Sequence, residues 1–300
     1  MADSSYNSWL GKLGFSPKDR VAILHADDLG MFPSTVPAFK ALFQAGMVTS
    51  GSIMAPTTAF RPMVEWAVNH PQADLGLHLT LTNEWQNYPW RPLTNGTPAA
   101  KSLIDSRGRF PTSVEALENK ATEEAVYQEL KAQLQFAREL GFEPTHLDSH
   151  MYALMSKSFV SAYFRIGLEE GIPFFLTRSH LDQLRGFIGP PELVSLWEKS
   201  QFPLFDYEFD LGIHQRGPGE LDAVRNFFFN LPPGLSYVIL HPAKDSAELR
   251  EHVWCWPNRV AEYELFLMPE VRRIIRESGV HLIDFRQIKA VIPPNSGTSR

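Results

Sequence analysis

Val21-Ala-Ile-Leu-His25-Ala-Asp27-Asp28-Leu-Gly30 is an apolar run that ends in two adjacent acids and a glycine. It reads as a buried strand with chemistry at its exit. Three other stretches repeat the arrangement: Leu75-Gly-Leu-His78-Leu-Thr-Leu81, Thr145-His146-Leu-Asp148-Ser-His150 and Tyr237-Val-Ile-Leu-His241-Pro242. Helix-like stretches lie between them. Thr122 caps and Gly141 stops the clearest one, 123–140, and Ser34 and Gly46 bracket another. Strands that alternate with helices predict a parallel α/β architecture. Seven or eight such units fit a single closed (β/α) barrel better than an open sheet, and such folds place chemistry where the strands end.

The full reading places strands at 21–25, 49–54, 75–79, 146–148, 173–176, 206–210, 236–240 and 280–284. Helices are predicted over 34–45, 59–68, 123–140, 158–170 and 220–230, with one long helix over 259–277. Residues 180–204 give no clear element. Residues 83–121 interrupt the rhythm with a stretch rich in Pro, Gly, Trp and Tyr. A loop of that length is functional or disordered as a rule, and Trp85, Tyr88, Trp90 and Phe110 argue against disorder. The expected organisation is one catalytic barrel domain over 18–290 carrying that insertion, with peripheral tails at 1–17 and 291–300.

The 300 residues are 44% hydrophobic and 21% charged, enough for a sizeable core. A net charge of -6 without a dense Lys/Arg run argues against a nucleic-acid partner. Cys255 is the single cysteine, so neither an intrachain disulfide nor a cysteine-rich zinc site can form. No run approaches the roughly 18 apolar residues of a membrane span, and no secretory signal is visible. The expectation is a cytoplasmic protein with no membrane partner.

Asp27-Asp28 at a strand exit suits one carboxylate on a metal and the other in proton transfer; a turn or helix cap is the bland alternative. His78 sits among apolar neighbours, where a neutral imidazole is a good metal ligand or a core residue bonded to a carbonyl. Residues 146, 148 and 150 share one face of an extended strand. His150 at the tip is the better ligand candidate, with Asp148 or His146 as orienters of a ligating histidine. His241 across the pocket could protonate a leaving group. His25 reads as core, and His70, His180, His214, His252 and His281 read as surface or structural.

These motifs, in this order, resemble the YdjC-like family, which includes the chitooligosaccharide deacetylases. The resemblance rests on Ala26-Asp27-Asp28-Leu-Gly30, Gly76-Leu-His78-Leu-Thr-Leu81, Pro144-Thr-His146-Leu-Asp148-Ser-His150 and His241-Pro242, and extends to the helix start at 259–262. It implies a distorted (β/α) barrel of the polysaccharide-deacetylase kind. It implies a divalent metal held by Asp28, His78 and His150, with Asp27 as catalytic base and His241 as catalytic acid. The implied substrate is an N-acetylated sugar that loses acetate. The chain departs from the family at Tyr152, where another histidine is common, and at Ala243, where glycine follows the His-Pro pair.

Two histidines and one carboxylate favour zinc, while cobalt, nickel, manganese and magnesium stay open. Two other classes compete: a phosphoesterase or ester deacylase with the same ligands, and a non-catalytic sugar-binding barrel. No Gly-rich phosphate loop accompanies the motifs, and a binding protein needs no acid-base pair. Trp254 and Trp256 are candidates for a homodimer interface or for a cover over the pocket.

Overall fold

The computed structural model describes residues 9–211 and 218–293. Residues 1–8 and 294–300 of the two expected tails, and His214, lie outside them. Among the described residues seven strands form one sheet: β1 (Arg20–Leu29), β2 (Ser50–Ile53), β3 (Leu75–Leu79), β4 (Leu147–Ser149), β5 (Tyr207–Asp210), β6 (Gly234–Leu240) and β7 (His281–Leu282). Every pairing is parallel, in the order β4-β3-β2-β1-β6-β5. β7 pairs with the first half of β1, and β2 with its second half. Isolated parallel bridges carry the bonding from Leu147 to Phe174 and from Thr177 to Phe205, next to β5. The sheet is therefore curled into a distorted barrel, as the family resemblance implied, with isolated bridges rather than full strands between β4 and β5. The stretch 173–176 supplies bridges there rather than a full strand.

Strand periodicity creates two apolar layers. Val21 and Ile23 of β1 pack with Leu235, Tyr237 and Ile239 of β6, and with Phe175 and Phe205, inside the barrel. Ala22, Leu24, Val238 and Leu240, one residue out of phase, pack outward under the helices. Trp9 and Leu10 of the short helix Trp9–Lys12 join the inner cluster, as do Phe285 and Ile288 of the helix Phe285–Ala290.

Most predicted helices are present: Thr35–Gln44, Phe60–Val68, Glu123–Glu139, Val160–Glu170 and Pro218–Asn230. The expected long helix over 259–277 is two helices, Trp256–Phe266 and Pro269–Ser278. Pro269 lacks the N–H that would continue the ladder, and Met268 before it is extended at ψ 132°. Residues 180–204 hold most of the helix Arg178–Leu184 and the helix Pro191–Ser200. The 83–121 stretch is packed down. Trp85, Trp90 and Phe110 are buried, and Glu129 accepts from the N–H groups of Leu93 and Thr94. Among the described residues no helix is long and apolar enough to cross a membrane.

Candidate metal centre

Parity fills the mouth of the barrel. His25 and Asp27 continue the inward phase of Val21 and Ile23, and His241 continues that of Tyr237 and Ile239. Asp28 has the wrong phase. It reaches the same pocket because the register of β1 against β2 shifts between Ala26 and Leu29, with Asp28 at φ 60°. Aspartate tolerates this left-handed conformation better than most side chains, and the bulge re-aims it. Asp27, Asp28, His78, Asp148, His150 and His241 all line one cavity, together with Glu84, Tyr237 and Arg259.

At its floor, Asp28 Oδ1 lies 3.3 Å from His78 Nε2 and 3.0 Å from His150 Nδ1. That oxygen is buried and has no hydrogen bond of normal geometry. A buried carboxylate oxygen without a donor, between two imidazole nitrogens, is a fitting donor set for a divalent cation. A tetrahedral ion with bonds of ~2.0–2.1 Å sets its ligands about 3.3 Å apart, which this spacing matches.

A second layer holds these groups. Asp148 Oδ1 lies 2.8 Å from His78 Nδ1 and accepts its proton. Its Oδ2 accepts from Ser52 Oγ at 2.7 Å and from the Tyr237 hydroxyl at 3.1 Å. Glu84 Oε2 lies 2.9 Å from His150 Nε2. Arg259 donates to Asp28 Oδ2 at 2.7 Å. Each imidazole thus turns one nitrogen to Asp28 and the other to a carboxylate that fixes its tautomer.

The charges follow. Burial opposes ionisation of Asp28, but Arg259 and the two imidazoles hold its carboxyl well below the usual range. Burial also opposes protonation of His150, yet Glu84 and Asp28 push it up to about 9. His78 is held well above its ordinary value by Asp148 and Asp28 against the same burial.

His25 is fully buried, as expected of a core residue, but it is not inert. Its Nδ1–H donates to Asp27 Oδ1 at 2.5 Å, and its ring stacks on Tyr237 at 4.7 Å. His146 sits behind it, with Nε2 2.9 Å from His25 Nε2 and the ring stacked on Phe285. It does not line the cavity, so of the two candidate orienters Asp148 contacts a ligand candidate. Gly76 makes room for His146: a Cβ there would lie 2.5 Å from His146 Nε2.

His241 joins Asp210 and Glu262 on the far side, their ligating atoms within 4.8 Å of one another. Burial lowers the His241 imidazole below its ordinary value. Its backbone N–H donates to Glu262 Oε2 at 2.5 Å. Burial pushes Glu262 up to about 8 from 4.5, with that N–H opposing. The folded protein therefore binds a proton there that the unfolded chain releases, and stability falls as pH rises from 4.5 toward about 8. Glu262→Gln keeps an acceptor without the charge. Urea unfolding at pH 5 and pH 8 is expected to show the wild type losing on the order of 3 kcal/mol more than this variant.

Four contributors were not singled out from the sequence: Glu84, Ser52, Tyr237 and Arg259. Arg259 lies at the helix start, 259–262, to which the family resemblance extends. Trp85, Trp90 and Phe110 pack beneath the loop, and Tyr88 contacts Phe32 and His252, so none of them lines the cavity. His70, His180, His252 and His281 do not line it either.

Sequence comparisons show the family, and a structural comparison shows the fold. Residues 21–277 match the model described as YdjC-like protein. A carbohydrate deacetylase of Thermus thermophilus is 37% identical over 287 residues, covering 94% of this chain and 98% of its own. Carbohydrate deacetylase 2 of Listeria innocua is 29% identical over 278 residues, covering 89% and 98%. A crystal structure of a candidate cellobiose-phosphate cleavage protein from Enterococcus faecalis shares the fold, with a TM-score of 0.72 at 21% identity over 90% of this chain and 99% of that one. The matched range includes Asp27, Asp28, His78, His150 and His241, and the chain belongs to the YdjC-like family.

Proposed function

We propose that this chain is a metal-dependent deacetylase of N-acetylated sugars, with residues 18–290 as its catalytic unit. One observation carries the reading: a chain 37% identical along its length to a carbohydrate deacetylase gathers Asp27, Asp28, His78, His150 and His241 on a single cavity. Asp28, His78 and His150 would hold the ion, and zinc suits two imidazoles and one carboxylate. A bound divalent ion supplies a Lewis acid that polarises a carbonyl and acidifies water.

The protein's own groups do the rest. Asp148 and Glu84 keep His78 and His150 presenting their lone pairs to one point. Asp27, held by His25, takes the proton of the attacking water. His241 gives a proton to the departing nitrogen, because an amide anion is too basic to leave unaided. Arg259 keeps Asp28 ionised. An acyl transfer needs the developing oxyanion to meet fixed positive charge in a site shielded from water, and the buried floor of the cavity offers that.

The test is acetate release from N-acetylglucosamine oligomers by metal-loaded and metal-stripped protein. Release by the loaded protein alone is expected. Equal release by both samples would remove the metal from the reading, and phosphate or ester cleavage without acetate release from the amide would move it to another hydrolase class.

A further inference from the structure

The cavity does not end at His241. A second cavity shares Asp210, His241 and Arg259 with the first and continues to Trp254, Cys255 and Asn258. Trp254 is 83% exposed, far more than any other large apolar side chain among the described residues. An indole left in water at a cavity wall contributes nothing to the core, and its flat face is a platform for an apolar surface of a ligand. Polar groups surround it. Asp210 and Asn258 line the same cavity, and Arg259, 7% exposed, lines both while its Nε and Nη1 find no acceptor.

The proposed chemistry gives this cavity a direction, and the argument rests on that reading. The acetyl carbonyl faces Asp28, His78 and His150, and the departing nitrogen faces His241. The sugar ring bonded to that nitrogen must then continue past His241, into the cavity that ends at Trp254. A pyranose offers a face of C–H groups for the indole and a rim of hydroxyls for Asp210, Asn258 and Arg259. After cleavage the freed amine takes up a proton, and an ammonium is attracted both by Asp210 and by an indole face.

We propose that Trp254, Asn258, Asp210 and Arg259 form the subsite for the body of the amino sugar, with Trp254 as its stacking platform.

The experiment pairs binding with turnover in the intact, metal-loaded protein. Calorimetry measures binding of the fully deacetylated glucosamine dimer to wild type, Trp254→Ala and Trp254→Phe. Acetate release from the acetylated dimer gives KM and kcat, and sedimentation gives the mass of each protein. Trp254→Ala is expected to weaken dimer binding and raise KM by about ten-fold each, with kcat falling less than about three-fold. Trp254→Phe should keep affinity within about three-fold of wild type. Unchanged binding and KM in Trp254→Ala, or no binding by wild type, would overturn the subsite. So would an effect confined to sedimentation, which would make Trp254 an interface between copies of the chain. Trp254-dependent binding without any acetate release would leave the subsite standing and remove the deacetylase reading instead.

Discussion

Asp27→Asn is expected to lower acetate release by about 10³-fold while leaving metal content intact, because a positioned general base contributes roughly 10²–10⁴. The amide keeps the shape and removes the basic oxygen. Asp28, one residue on, is the contrasting position: its loss should cost both metal and activity. Metal content measured beside turnover separates the two, and an Asp27→Asn protein with wild-type turnover would show that the base lies elsewhere. His25 sharpens the test. Its Nδ1 meets Asp27 and its Nε2 meets His146. Asparagine places an N–H close to the imidazole Nδ1, whereas glutamine reaches the Nε2 position. If His25 acts by holding Asp27, His25→Asn should keep kcat within about ten-fold of wild type and His25→Gln should lose more, at similar KM. The reverse order would mean that the Nε2 contacts matter instead, to His146 at 2.9 Å and to Asp148 Oδ2 at 3.6 Å.

Chelation is expected to lower the melting temperature by on the order of 5–10 °C, and His150→Ala should abolish that difference. A ligand present at 100 times its Kd stabilises a fold by about 2.7 kcal/mol, worth some 2–4 °C per kcal/mol in a chain of this size. A metal held at this site would compete with protons. Glu84 and Asp28 push His150 up to about 9, and His78 is also raised, so both imidazoles must surrender protons to bind an ion. Apparent affinity should therefore climb as pH rises toward about 9, with proton release seen as a buffer-dependent heat of binding. An affinity flat between pH 6 and pH 9 would exclude these imidazoles as ligands. Asp148→Asn, which loosens His78 without removing it, should weaken metal binding by roughly 10–100-fold.

The strands and the phase of their side chains were legible because alternation is a local property of sequence. Val21, Ile23, His25 and Asp27 announce their common face, as do Tyr237, Ile239 and His241. The way Asp28 reaches the pocket was not legible, since its inward turn depends on a register shift against β2 that pairing alone reveals. Glu84 was not legible either, because it sits in a loop of aromatics and its distance from His150 is set by how that loop packs. The break at Pro269 is written in the chain, where the missing N–H outweighs the apolar periodicity that runs across it. Arg259 closes an ion pair with Asp28 across most of the chain, which no local pattern encodes.

The neighbours of β1 have a consequence for how the molecule comes into being. β1 leaves the ribosome well before two of its three partners, β6 and β7. The acids of β1 thus have no complete pocket until β6 and β7 have also been made. Such late, distant pairings are slow to form and leave apolar edges waiting for their partners. Truncation near the C-terminal strands should therefore yield an aggregating chain rather than a smaller working enzyme, and assembly of the catalytic mouth should coincide with the final step of folding.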